Sequence, residues 1–318
     1  MIPRISIVTP SFNQGRFIEE TIKSVIGQEG EFHIDYIIVD GGSSDNTLEI
    51  IKKYDSMLRT RSWPVKCRGI TYRWTSERDR GQADAIDKGF RLAEGEIVTW
   101  LNSDDTYLQG SIARVLGLFT TESGADVVYG RCHYIDEGGT VTGDYPTGPF
   151  DRRALATFNF VCQPATFFRR EALEKAGGLD PDLRYVMDYD LWIRMSGRSK
   201  FLYLPEFLST YRLHDISKTM SASDAVANQE ECLKTVMRHY HWAPFNRVYG
   251  YCYQTVTRTW PSFSRVRLFA VLFSLFFAVA KYLRLNKKIK LDDLKMINPR
   301  NARKLFKDWI DINKESRP

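Results

Sequence analysis

The chain has 318 residues, 43% of them hydrophobic, which is enough apolar material for one large or two smaller domains and excludes a mainly disordered protein. Its five cysteines are odd in number and contain no C-x-x-C pair, so neither a disulfide framework nor a zinc site is indicated, and reduced cytosolic thiols are the simplest reading. The net charge of +6 hides an asymmetry: from Phe263 onward 14 Lys/Arg face 5 Asp/Glu, an excess of +9, whereas the first 262 residues carry −3.

Met1-Ile2-Pro3-Arg4 leads straight into a strand pattern with no apolar signal core, so secretion is not expected. Ile5–Pro10 reads as a short buried strand stopped by its proline. A helix is expected over about Arg16–Gln28, with Phe17, Ile18, Ile22, Val25 and Ile26 at helical spacing. Tyr36–Asp40 is a second apolar strand, followed by the turn Gly41–Asp45 and a helix from Thr47 to about Tyr54. Ser56–Cys67 is polar and Arg-rich and reads as a surface loop. Ile70–Trp74, Gln82–Leu92 and Ile97–Leu101 read as strand, helix and strand. After about Gly110 the pattern loosens: Val127–Gly130, Thr166–Arg169 and Phe201–Pro205 suggest a mixed sheet, and Asp188–Met195 a helix.

Strand–helix alternation predicts an α/β fold with an open, mainly parallel twisted sheet flanked by helices. Ligands in such sheets bind beyond the carboxyl ends of the strands. Three of those ends carry Thr9 and Ser11, Asp40, and the pair Asp104-Asp105, so these groups are expected on one rim within one pocket. Adjacent carboxylates repel unless a cation neutralises them, and Mg²⁺ or Mn²⁺ is typically held by one or two carboxylates plus substrate phosphates. The plainer alternatives are a helix cap at Ser11 and Asn13, a tight turn at Asp40–Asp45, a solvated acidic loop at Asp104-Asp105, and ordinary first-turn acids at Asp188 and Asp190.

Five motifs in order decide between these. Thr9-Pro10-Ser11-Phe12-Asn13, Ile38–Asp45, Asp79-Arg80-Gly81-Gln82 with Asp84 and Lys88, Trp100–Asp105, and Met187–Trp192 together resemble the family 2 glycosyltransferases, inverting enzymes with the GT-A fold, over residues 2–220. The resemblance implies a GT-A sheet with a mixed acceptor-side sheet and a helical C-terminal tail. The corresponding parts are a nucleotide-sugar subdomain over 1–110, an acceptor and catalytic-base subdomain over 111–220, and a basic region over 221–318. It also implies donor contacts from Thr9, Pro10, Ser11, Asn13, Asp40, Gly42, Asp79, Gln82, Asp84, Lys88, Asn102, Ser103 and Arg212. Asn102-Ser103-Asp104 falls where the family carries Asp-x-Asp, with Asn in the first place, which leaves Asp104 as the main ligand of Mn²⁺ or Mg²⁺, Asp105 beside it and His214 as a further candidate. Asp188 matches the catalytic base, with Met187 where the family has Glu and Asp190 as competitor. The donor expected is a UDP-sugar and the acceptor a hydroxyl of a glycan or lipid-linked glycan. A catalytically silent binding or scaffold protein on the same fold is the rival.

The tail holds a 13-residue run, Leu268–Ala280, of which 12 are apolar. Spanning a bilayer takes about 20 apolar residues, so the run reads as too short to cross. A core helix is one reading; a helix lying in an anionic membrane interface, aided by the basic flanks, is the other and is preferred. The location expected is therefore cytoplasmic, peripheral on the inner face of the cell membrane. No nucleic-acid motif accompanies the basic excess, so a nucleic-acid partner is not expected.

Overall fold

The computed structural model describes residues 2–122, 124–215, 224–260, 267–286 and residue 293. Two compact units divide the chain, Met1–Ala222 and Ser223–Pro318.

Among the described residues the first unit carries one nine-stranded sheet. Its strands are β1 (Arg4–Ser11), β2 (Gly30–Asp40), β3 (Cys67–Ser76), β4 (Ile97–Trp100), β5 (Thr106–Tyr107), β6 (Val127–Ile135), β7 (Val141–Asp144), β8 (Thr166–Arg169) and β9 (Phe201–Arg212). They run in the order β3-β2-β1-β4-β8-β6-β9-β5, with β7 beside β6. The first four are mutually parallel, whereas β8 is antiparallel to both β4 and β6. The parallel part is joined by α1 (Ile18–Ile26), α2 (Thr47–Arg59) and α3 (Gln82–Leu92). Helices α4 (Ser111–Thr121), α5 (Arg152–Thr157), α6 (Arg170–Ala176) and α7 (Met187–Met195) follow, with a short 3-10 turn at Gln163–Ala165. This is the mainly parallel sheet with a mixed extension that the alternation predicted.

Several boundaries differ for identifiable reasons. β1 does not stop at Pro10; it runs in register with β2 through Ser11. The Leu101 amide donates to the Val8 carbonyl, so Val8 faces β4, and Pro10, two residues on, faces the same way just past the end of β4 at Trp100. No ladder bond is lost to its missing N–H there. α2 continues to Arg59, leaving 60–66 as the loop. β9 runs seven residues beyond Pro205 because β6 and then β5 pair with it to the end.

Close packing of α3 on β1 sets the floor of the site. A Cβ on Gly89 would lie 2.3 Å from Val8 Cγ1 and 3.1 Å from Val8 Cβ, so rotating Val8 cannot relieve it. In an exposed helix Gly→Ala stabilises by about 1 kcal/mol. Here overpacking wins, and Gly89→Ala is expected to destabilise by about 1–3 kcal/mol in a denaturant titration; a raised midpoint would contradict this packing.

The second unit contains α8 (Ala225–Tyr240), α9 (Phe245–Thr259) and α10 (Arg267–Asn286). The 13-residue apolar run thus belongs to a 20-residue helix, and its stretch Phe269–Asn286 is long and apolar enough to cross a membrane by length and composition, correcting the expectation from the run alone. Ala270, Ser274, Ala278 and Tyr282, spaced by four, are buried, whereas Phe269, Leu272, Phe276 and Leu283 are exposed. Three small residues and Tyr282 form the buried stripe and large apolar ones face out. Residues 261–266, 287–292 and 294–318, with most of the basic excess, lie outside the described residues.

Candidate active site

A cavity of about 950 Å³ opens at the carboxyl ends of β1 and β4. Pro10 and Ser11 reach it from β1, and Asn102, Ser103 and Asp104 from the segment after β4. Asp79 and Gln82 reach it from the start of α3, and Asp188 from the first turn of α7. Arg212 and His214, at the end of β9, complete this set of expected residues on its wall.

Asp104 and His214 converge: His214 Nε2 lies 2.8 Å from Asp104 Oδ2. The His214 ring is buried against Phe17, and its Nδ1 is a buried atom with no partner among the described residues. No group of three or more His, Cys, Asp or Glu among the described residues could hold a metal. Two protein ligands, one carboxylate and one imidazole, nevertheless fit an ion whose remaining positions are filled by phosphate oxygens and water.

Asp105 does not join them. It is buried; its Oδ1 accepts from the Arg212 backbone N–H at 3.0 Å and its Oδ2 from Asn102 Nδ2 at 3.2 Å. Burial, and then the Asp104 charge, push its carboxyl well above the ordinary range. The expected metal pair is thus one carboxylate facing the cavity and one holding the strand end. Asn102 is an amide hub: it donates to Asp105 and to Gln163 Oε1 and accepts from Gln82 Nε2 at 2.7 Å.

The shared-rim expectation needs the same revision at Asp40. It ends β2 on the proper edge but is buried, accepting from the Gly42 and Ser43 amides and from the Ser43 and Ser76 hydroxyls. Its neighbour Gly41 lines the cavity instead, and a Cβ there would come within 2.7 Å of Asp79 Oδ2, so the glycine makes room for that carboxylate. Thr9 is buried beside Tyr36, 3.1 Å from its hydroxyl. Asn13 and Gly42 both have positive φ and belong to the paired turns, with Asn13 Oδ1 accepting from the Ser44 amide. Asp84 and Lys88 pair with each other and with Arg80 and Glu77 on the outer face of α3. These residues do not line the cavity; they build the loops that do. Ser11 reaches the wall, and its buried hydroxyl has no partner among the described residues.

Arg212 lines the cavity, yet its guanidinium is fully engaged inside. It donates to the carbonyls of Asp104, Asp136 and Glu137 and to the Glu20 carboxylate, and its side chain is fully buried. It therefore holds the Asp104 segment while lining the cavity.

The two candidate bases separate cleanly. α7 is anchored by Trp192, which stacks on Trp100 at 5.7 Å between centroids, and by the Tyr189 hydroxyl, which donates to the Leu155 carbonyl. Asp190 is buried and bonded to Arg194 at 2.7 Å, and Arg194 also donates to the Ala176 and Gly178 carbonyls. Asp188 is half-buried and faces the cavity, and desolvation pushes its carboxyl up to about 6. A carboxylate poised near neutrality in a cleft has the properties of a general base. The wall residues that no sequence motif contained are Gln14, Arg78, Gln163 and the 181–185 loop. Arg78 directly precedes a motif already visible, the one that holds Arg80; Gln163 and the loop have no local signature.

The model of glycosyl transferase family 2 matches residues 6–177. The chain is 31% identical to an uncharacterized glycosyltransferase, alr2836, of Nostoc sp. over 240 residues, 71% of this chain and 70% of the relative. It is 30% identical to a PGL/p-HBAD biosynthesis glycosyltransferase of Mycobacterium bovis, covering 60% of this chain and 69% of that one. In fold it is similar to S. aureus TarS in complex with UDP-GlcNAc, at TM-score 0.58 and 15% identity over 89% of this chain and 81% of that one. It is likewise similar to the mannosyltransferase PcManGT of Pyrobaculum calidifontis in complex with GDP-Man and Mn²⁺, at TM-score 0.57 and 15% identity over 99% and 84% of the two chains.

Proposed function

The chain belongs to glycosyl transferase family 2, is a glycosyltransferase and has the GT-A fold, and from that premise we propose that it moves a hexose from a UDP-sugar to a hydroxyl of a glycan or lipid-linked glycan with inversion. One observation carries the reading: the Asp104–His214 pair and the raised carboxyl of Asp188 line the same cavity. Asp104 and His214 would hold Mn²⁺ or Mg²⁺, which when bound supplies positive charge to the leaving diphosphate. Ser11 and Asp79 offer hydrogen-bonding groups to the nucleoside, and Arg78 and Arg80 add positive charge at the rim. Asp188 takes the acceptor hydroxyl proton as the oxygen forms its bond to the anomeric carbon and the bond from that carbon to the diphosphate breaks. A single displacement needs one base and no protein nucleophile. Thermal-shift screening of UDP- and GDP-sugars with and without Mn²⁺ tests the donor, since a ligand of the native state stabilises it by mass action. The expected hit is a UDP-sugar with a larger shift when Mn²⁺ is present; no shift from any sugar nucleotide would sink the proposal.

The same reading puts the enzyme on the cytoplasmic face of an anionic membrane through α10. The exposed Phe269, Leu272, Phe276 and Leu283 and the +9 excess of the tail support it. Leu272→Asp with Phe276→Asp alters two exposed side chains, so the fold should survive. Sedimentation with phosphatidylserine-containing vesicles is expected to fall about tenfold or more, because a charge inserted into lipid costs about 2.5–3.5 kcal/mol at the bilayer centre on insertion scales. Undiminished sedimentation would remove the membrane from the account.

A further inference from the structure

Asn159 lies between α5 and the Gln163–Ala165 turn, and no motif singled it out. Its Nδ2 is 3.2 Å from Asp188 Oδ2. Its backbone carbonyl accepts the Tyr145 hydroxyl at 2.6 Å, and the Tyr145 backbone N–H donates to the Cys132 carbonyl of β6 at 2.8 Å. The backbone of Asn159, from which the amide projects, is thereby tied to the sheet by a route independent of α7. The amide's orientation follows from charge: the reversed amide would set an oxygen against a carboxylate oxygen. The remaining Asn159 Oδ1 is buried with no partner among the described residues, so none of them gives the side chain a second bond there.

Resting on the assignment of Asp188 as base, we propose that Asn159 is a positioning residue for the general base: it restrains the Asp188 carboxylate and favours its ionised form. A donor to a carboxylate stabilises the charged state against desolvation. The Tyr189 backbone N–H also donates to the Asp188 carboxylate and favours its charged form; Asn159 is the side-chain donor beside it. Tyr145 and Cys162 are both driven well up by burial and stay neutral at working pH. On its own helix Asp190 is paired with Arg194. Asp182, Arg184 and Tyr185 lie on the loop leading into α7, and Asp104 and His214 line the same cavity.

The test needs no substrate. The carboxyl carbon of Asp188 is titrated by NMR in ¹³C-aspartate-labelled full-length protein, with Asp188→Asn assigning the resonance. The expected midpoint rises by about one pH unit in Asn159→Ala, the sense required when a hydrogen bond to the charged form is lost. It rises further in Asn159→Asp, where two carboxyls at this separation must share a proton. Melting temperatures report folding separately, and a purely structural Asn159 would lower them without moving the midpoint. Should Asn159→Ala not fold, the isosteric Asn159→Asp carries the test. An unchanged midpoint in the folded variants overturns the proposal. If instead Asp188→Asn keeps full turnover, the base assignment fails whatever the midpoints do, so the two failures are distinguishable.

Discussion

Asp188→Asn is expected to lose about 10²–10⁴ of the transfer rate, the usual contribution of a general base, while binding the donor close to the wild-type level. The substitution preserves shape and removes only the ability to accept a proton. Burial raises the carboxyl to about 6. Because the base works ionised, wild-type kcat/KM should rise with pH through about 6 and level off above it. The stability sign is opposite: a folded-state pKa above the unfolded value means the native state binds the proton more tightly, so this group's contribution falls as pH rises from about 4 to about 6. Asp188→Asn should therefore be at least as stable as wild type at pH 8, and a loss of turnover there is not unfolding. Asp190→Asn should do the reverse. It breaks the buried pair with Arg194, lowers the melting temperature and leaves the acid limb where it was.

Asp104→Asn is expected to abolish the Mn²⁺-dependent part of donor binding, a loss of about tenfold or more, equivalent to about 1.4 kcal/mol or more. It removes the one cavity-facing carboxylate that meets His214. Isothermal titration of the donor in Mn²⁺ and in EDTA reads this directly: the two affinities differ in wild type and coincide in the variant. Asp105→Asn should keep the metal response, because Asp105 faces the Arg212 amide rather than the cavity. A variant that binds donor as well as wild type, with Mn²⁺ still enhancing it, would contradict the assignment of the ion to Asp104.

The parallel half of the fold was legible because each buried strand ends abruptly in polar residues and each helix shows one apolar face. α3 was read to the residue, Gln82–Leu92, and β8 likewise. The boundaries that failed depend on partners distant in sequence. β9 continues to Arg212 because β6 and β5 lie beside it, and β1 passes Pro10 because β4 has already ended. In the site, the motifs identified the loops but not which side chain of each faces inward. Asp40 ends β2 and Asp104 lies on the segment just after β4, and one is enclosed by four donors while the other meets the cavity. Asp188 and Asp190 sit in one helical turn and are separated only by Arg194, which binds the second. Gln163 and Asn159 left no trace in the sequence, because their roles come from the meeting of segments that no local pattern joins.

The most direct test of an inverting transfer at this cavity is the configuration of the first sugar released. With water as acceptor, an α-linked UDP-sugar that passes the thermal-shift screen is incubated with the enzyme and Mn²⁺. The anomeric proton is followed by NMR before mutarotation equilibrates it. Single displacement assisted by Asp188 predicts the β-anomer first, formed by wild type and not by Asp188→Asn. The α-anomer as first product, or β-anomer formed equally fast by Asp188→Asn, would contradict it.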